Sequence, residues 1–190
     1  MAKKPTKATP APAETSAVKN PPVNQSMAVL VSLLYIINKA NSLVTSKYPG
    51  AICVQAAGEG ALAAIPNSYK ITFRAADGIN SLWVIATENT QTGAVTFSDI
   101  TEAGPILGVG GNITEATIDI YPATKAIARA GYTNPIFFCG LFQAVVPHIY
   151  QPWYCFTPNN CSSPDSSNYI FVNSITGEVR LFPTDAQYKA

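Results

Sequence analysis

Apolar residues run almost unbroken from Met27 to Ile37 and return at Ala40 and Leu43, at intervals of three and four. That spacing predicts a helix over 26–46 with Ser26 as its cap. Met27, Leu30, Leu34 and Ile37 form one stripe, and Val29, Leu33, Ile36, Ala40 and Leu43 form another. A helix lying on a sheet needs only one such face. The stripe of Val29, Leu33, Ile36 and Leu43 is therefore expected to meet a further cover, either the face around Ile118, Ala126 and Arg129 or a neighbouring subunit. "YPG" at 48–50 ends the helix, and the apolar period changes to that of strands. Strands are expected at 51–57, 68–75, 81–88 and 93–100, separated by the turn pairs Pro66-Asn67, Asp77-Gly78 and Thr92-Gly93.

The same order then recurs. Shifted by 86 positions, Tyr35 falls on Tyr121, Lys39 on Lys125, Pro49 on Pro135, Cys53 on Cys139 and Pro66 on Pro152. The capping candidates Ser26 and Asn112 coincide, Trp83 meets Tyr169, and a two-residue gap brings Thr92-Gly93 onto Thr176-Gly177. The second copy reads as a helix within 112–130 and strands at 136–146, 151–158, 168–174 and 177–183. Pro122 either kinks a helix that begins near Thr114 or is the first residue of a shorter one after an extended "ATIDIY", and Gly131 ends both versions. The expected fold is α+β, two tandem αββββ units, each a helix packed on an antiparallel four-stranded sheet. Residues 1–25 are an N-terminal arm, 26–104 the first unit, 105–111 a Gly-rich linker and 112–190 the second unit. Gly93 and Gly177 close the last hairpin of each unit and should take positive φ. The competing reading is a single α+β domain whose strands share turn chemistry.

A helix followed by a four-stranded meander that closes in "YIFVNSITGEVRLF" (169–182) resembles the PepSY and cystatin-like folds, whose last hairpin often ends in Thr-Gly-Glu-Val. In the first copy Gly-Ala-Val stands in that place. The resemblance implies a non-catalytic module that binds a protein and inhibits or regulates a protease. Cystatin-type inhibitors also use a Gln-x-Val-x-Gly hairpin and a later Pro-Trp hairpin. Here "QAVVP" lacks the Gly and Pro152-Trp153 precedes the second strand, so those inhibitory roles are not carried over.

Composition narrows the chemistry. The 190 residues are 47% hydrophobic, ample for a core, but only 12% charged, with a net charge of +1. Lys3, Lys4, Lys7 and Lys19 against Glu14 place much of the positive charge in the arm, which holds too few large apolar residues to order itself and is expected to be flexible. Nucleic-acid binding needs Lys and Arg clustered on a folded face, and none is predicted. The Met27 run falls short of the roughly 18–20 residues that cross a bilayer, and no recognisable signal peptide precedes it.

His148 is the only histidine, which excludes two-histidine metal sites; no metal or cofactor is expected. Cys139 with His148 is the one nucleophile–base pair, yet a thiol inside "IFFCGLF" reads as inert packing. The acids are scattered, and "GVGG" at 108–111 reads as linker, not phosphate cradle. Cys155 and Cys161 flank "FTPNN"; a hairpin there would bring them within bridging distance, implying a secreted, virion or cell-surface setting. Otherwise Cys155 is buried beside Trp153 and Cys161 is a loop thiol. The reading is a non-enzymatic structural or assembly protein that associates through apolar helix faces or strand edges. The alternative is a PepSY-like or cystatin-like module that binds a protease or similar protein; an enzyme is third.

Overall fold

A computed structural model describes residues 30–59, 63–108, 110–132, 135–143, 151–157 and 169–182, with Leu181 and Phe182 described by backbone alone. The expected arm at 1–25, Ser26, Val29, His148 and Cys161 lie outside the described residues. Helix α1 (Leu33–Lys47) is followed by β1 (Ile52–Gly58), β2 (Ser68–Arg74), β3 (Ser81–Asn89), β4 (Ala94–Phe97) and β5 (Thr101–Ala103). A 3₁₀ turn (Ile113–Glu115) and α2 (Ile120–Arg129) lead into β6 (Phe137–Phe142), β7 (Trp153–Thr157), β8 (Tyr169–Asn173) and β9 (Val179–Phe182). All nine strands join one antiparallel sheet in the order β4-β3-β2-β1-β6-β7-β8-β9, with β5 also on β3. The fold is mixed α+β, a large antiparallel sheet with two helices.

Alternation decides which side of the sheet is covered. Cys53 and Ala56 of β1, Tyr69, Ile71 and Phe73 of β2 and Leu82, Val84 and Ala86 of β3 share one face. Phe138, Leu141, Tyr154, Phe156, Ile170 and Val172 continue it through β6, β7 and β8. They form a single core with Leu33, Ile36, Ile37, Ala40 and Val44 of α1 and Ile120, Ala123 and Ile127 of α2, so both helices lie on the same side. Full burial of such aliphatic and aromatic side chains contributes about 1.5–3 kcal/mol each. On the other side, β7 is also buried, and all five of its residues are inside.

The helix face expected to need further cover is the core face itself. Leu33 and Ile36 are fully buried against the chain's own sheet and 3₁₀ turn, and Leu43 is half-buried. Leu30, from the other stripe, is exposed. Of the face around Ile118, Ala126 and Arg129, Ala126 is half-buried against this same core, Ile118 is half-buried and Arg129 is exposed. The helix also begins later than the expected 26–46. Ser32, in extended geometry, accepts from the Tyr35 N–H at 3.2 Å, and the preceding Val31 N–H donates to Glu88 at 2.9 Å. Residues 30–32 are thereby tied to a strand and kept out of the helix.

The expected strand over 93–100 stops at Phe97, and a further strand, β5, begins just beyond its range. At Ser98 the side-chain oxygen, not a carbonyl, accepts from the Ile85 N–H at 2.9 Å, and pairing with β3 resumes only at Thr101. Of the two readings of Pro122, the shorter helix is close. Asp119 caps α2 and Pro122 is its third residue, inside the first turn where a missing N–H costs no helical bond. Cys53 and Cys139 do not occupy equivalent places. Cys53 faces the core before the bulge at Val54, whereas Cys139 is itself the extra residue of the β6 bulge.

The two Thr-Gly turns share one hydrogen-bond set. The Asn89 side chain accepts from the N–H groups of Gln91 and Thr92, the Gly93 N–H donates to the Asn89 carbonyl, and the Ala94 N–H donates to Thr92 Oγ1. Asn173 does the same for Ile175 and Thr176, with Gly177 and Glu178 completing it. Both glycines take left-handed backbone, φ 72° at Gly93 and 76° at Gly177.

Gly93→Val and Gly177→Val should each cost about 1–3 kcal/mol in chemical denaturation. The cost comes from the left-handed backbone at both sites. Replacing Leu33 and Ile36 together by Asp should abolish the cooperative thermal transition, since it puts two unpaired charges in the core; a folded double variant would contradict the burial described here.

Candidate functional site

An α-helix leaves its first four N–H groups without partners. In α1 the first turn has no acidic residue, and help arrives from far along the chain. Ser32 takes the Tyr35 N–H, while Asp119 Oδ1 accepts from the Leu34 N–H at 3.3 Å and from the Ile120 N–H of α2 at 2.8 Å. One carboxylate thus caps both helices, where it also meets the positive ends of two helix dipoles. Tyr154 donates to the carbonyl of Ile118, the residue before that cap, at 2.7 Å. Burial, with Glu88 and Asp119 nearby, pushes the Tyr69 phenol far above its ordinary value; burial, with Asp119 and then Tyr69 nearby, does the same to Tyr154. Through its bond to Ile118, the Tyr154 hydroxyl ties β7 to the segment that starts α2.

Both helices lie on one side of the sheet with their N-termini anchored at one carboxylate, and each carries a half-exposed tyrosine on its solvent side. Tyr35 is 50% exposed and Tyr121 49%. Lys39 Nζ lies 5.6 Å from the centre of the Tyr35 ring, and Lys125 Nζ lies 4.5 Å from that of Tyr121. Each is a cation over an aromatic face one helical turn on. Lys47 and Arg129 close the last turns. The helices contain no acid, and none of these four cations forms an ion pair among the described residues.

The uncovered side of β1–β3 carries a different surface. Lys70 Nζ sits 4.7 Å above the Trp83 ring, and these two with Gln55, Thr72 and Ser81 line an open cleft of about 350 Å³. Residues 103–106 form its rim, held where Ser81 Oγ donates to the Gly104 carbonyl at 2.6 Å. A neighbouring cleft of about 560 Å³ is lined by Tyr48, Asp77, Asn80 and Glu102, with the Tyr48 hydroxyl donating to Glu102 at 2.9 Å.

The sequence-predicted positions divide among these surroundings. Leu33 and Ile36 are core, Leu43 is at its margin, and Gly93 and Gly177 are turn residues. Cys155 is a buried free thiol on the outer face of β7, beside Trp153, and Cys161 lies outside the described residues. Cys53 is fully buried in the core, and that burial pushes its thiol far above its ordinary value. Cys139 is half-buried, directed at the Phe137 carbonyl at 3.8 Å, and His148 lies outside the described residues. Sequence reading missed Asp119, Glu88 and the Tyr–Lys surface. The Tyr35/Lys39 and Tyr121/Lys125 matches were its available signal for the last of these.

Among the described residues, no group of His, Cys, Asp and Glu has the makings of a metal site, and no helix is long and apolar enough to cross a membrane. Comparison with protein-family models, curated proteins and solved structures gives no match to this chain.

Asp119→Ala should destabilise the fold by about 1–2 kcal/mol, more than Ser32→Ala at about 1 kcal/mol, because one change uncaps two helices. Asp119→Asn, which keeps an accepting oxygen, should recover most of the loss. Urea denaturation of the three variants gives the order; equal costs for Asp119→Ala and Ser32→Ala would remove the double-cap assignment.

Proposed function

We propose that the chain is a duplicated αββββ unit and a non-enzymatic structural or assembly protein, which associates through the solvent side of its paired helices. The units run over 26–104 and 112–190, joined by the connector 105–111. Three repeated details support the duplication. The bulge residues Val54 and Cys139 stand at the same step of the β1–β2 and β6–β7 ladders, the Asn89 and Asn173 turns match bond for bond, and the Tyr–Lys pairs recur at 86 residues. The observation that carries the function is the last of these. Two half-exposed tyrosines, each held under its own lysine, sit on a face that packs against nothing among the described residues. Such rings lose little freedom on docking and are typical anchors of protein interfaces.

This places association on a different surface from the one the apolar stripes suggest. The stripe containing Leu33 and Ile36 is used internally, and the β4–β5 edge is short and broken at Ser98, a form that discourages strand pairing. A second reading, a PepSY-like or cystatin-like module that binds a different protein, is favoured by the Lys70–Trp83 cleft on the other side of the sheet. In both readings the partner is protein.

Light scattering over a concentration series separates the two. The full chain should form a defined oligomer or polymer without an added partner, and Tyr35→Ser with Tyr121→Ser should return it to monomer while leaving the melting temperature within a few degrees. A wild-type chain that stays monomeric at every concentration removes the assembly reading and leaves the partner-binding one.

A further inference from the structure

Charge is sorted along this chain. From Ala75 to Thr124 there is no Lys or Arg, while Asp77, Glu88, Asp99, Glu102, Glu115 and Asp119 all fall there. Glu88 and Asp119 are consumed at the helix starts. Asp77, Asp99 and Glu102 are exposed at the β3–β5 end of the sheet, and Asp77 and Glu102 line the same cleft. Three hydrogen bonds from Ile79 and Asn80 hold the Asp77 carboxyl below its ordinary value, so it stays charged. None of the three carboxylates forms an ion pair among the described residues. The helix face, in contrast, offers Lys39, Lys47, Lys125 and Arg129 and no acid.

We propose that the helix face of one copy docks on the acidic β4–β5 edge of the next. This rests on the assembly reading and names its partner as a second copy. Two like helix faces would set cation against cation, so a symmetric helix-to-helix dimer is disfavoured, whereas helix face against acidic edge pairs opposite charges. The contact then joins two different surfaces of the molecule. Repeated from copy to copy, such head-to-tail contacts close into a ring or extend as a filament. Tyr35 and Tyr121 provide the apolar centre of the contact and the lysines above them its charge.

The test is a charge swap on the full chain, read by light scattering and sedimentation. Raising NaCl from about 50 to about 500 mM should weaken wild-type association about tenfold or more, as screening of exposed pairs requires. Lys39→Glu with Lys125→Glu reverses the charge over both tyrosines at the centre of the contact, and Asp99→Lys with Glu102→Lys reverses that of the edge. Each variant alone should be a folded monomer, with melting curves near wild type because the sites are exposed. Mixed one to one, the substituted positions of one variant again meet opposite charges on the other, and assembly should return. Wild-type assembly indifferent to salt and to either pair of substitutions overturns the proposal, as does a mixture that stays monomeric; in both cases assembly itself survives by another surface. A monomeric wild type removes the assembly reading and this contact with it.

Discussion

The pairing of β1 with β6 turns two strand meanders into one sheet, and the rest of the molecule is arranged around that seam. Gln55 faces Phe142 and Ala56 faces Leu141 across it. Gly140 leaves no room for a side chain, since a Cβ there would stand 3.2 Å from the Ala56 carbonyl oxygen. With the two strands this close, the core residues of both meanders form one continuous layer, and neither β1 nor β6 is an open edge. The bulges at Val54 and Cys139 lie in the two seam strands, where they add twist to a sheet that would otherwise be unusually wide and flat.

Above the seam, polar contacts do what the apolar core cannot. Hydrophobic burial is non-directional, so it holds two helices against the sheet without fixing where each begins. Asp119 and Glu88 fix those points, because each accepts from a particular N–H of the α1 segment. Ser174 adds a further tie, accepting at its carbonyl from Thr117 and Ile118 while its hydroxyl donates to the Pro152 carbonyl at 2.6 Å. The solvent side of the helices is positioned by these bonds, which is how two Tyr–Lys pairs far apart in sequence come to lie on the same side of the sheet.

Much of this was readable from local patterns. Period-two alternation located the strands to within a few residues, and Asn-x-x-Thr-Gly specified both hairpin turns through chemistry contained in six residues. What could not be read was contact between distant segments. The choice between the two stripes of α1 depends on how the helix is rotated on the sheet. That rotation is set by Asp119 at the Leu34 N–H and Glu88 at the Val31 N–H, neither of which has a signature near α1. The break at Ser98 was hidden for a related reason, because serine is an ordinary strand residue until its hydroxyl takes the place of a ladder carbonyl. The Tyr–Lys repeat was visible only as matched letters, with nothing to say that both pairs face outward.

The seam also constrains the order of events in folding. Hairpins such as β2–β3 and β8–β9 close short loops and can form within microseconds, whereas β1 and β6 must find each other across β2 to β5, the connector and the second helix. During synthesis the first meander emerges with β1 as a bare strand edge, its N–H and C=O groups directed at a partner still inside the ribosome. Until β6 arrives, that edge is open to pairing with the wrong molecule.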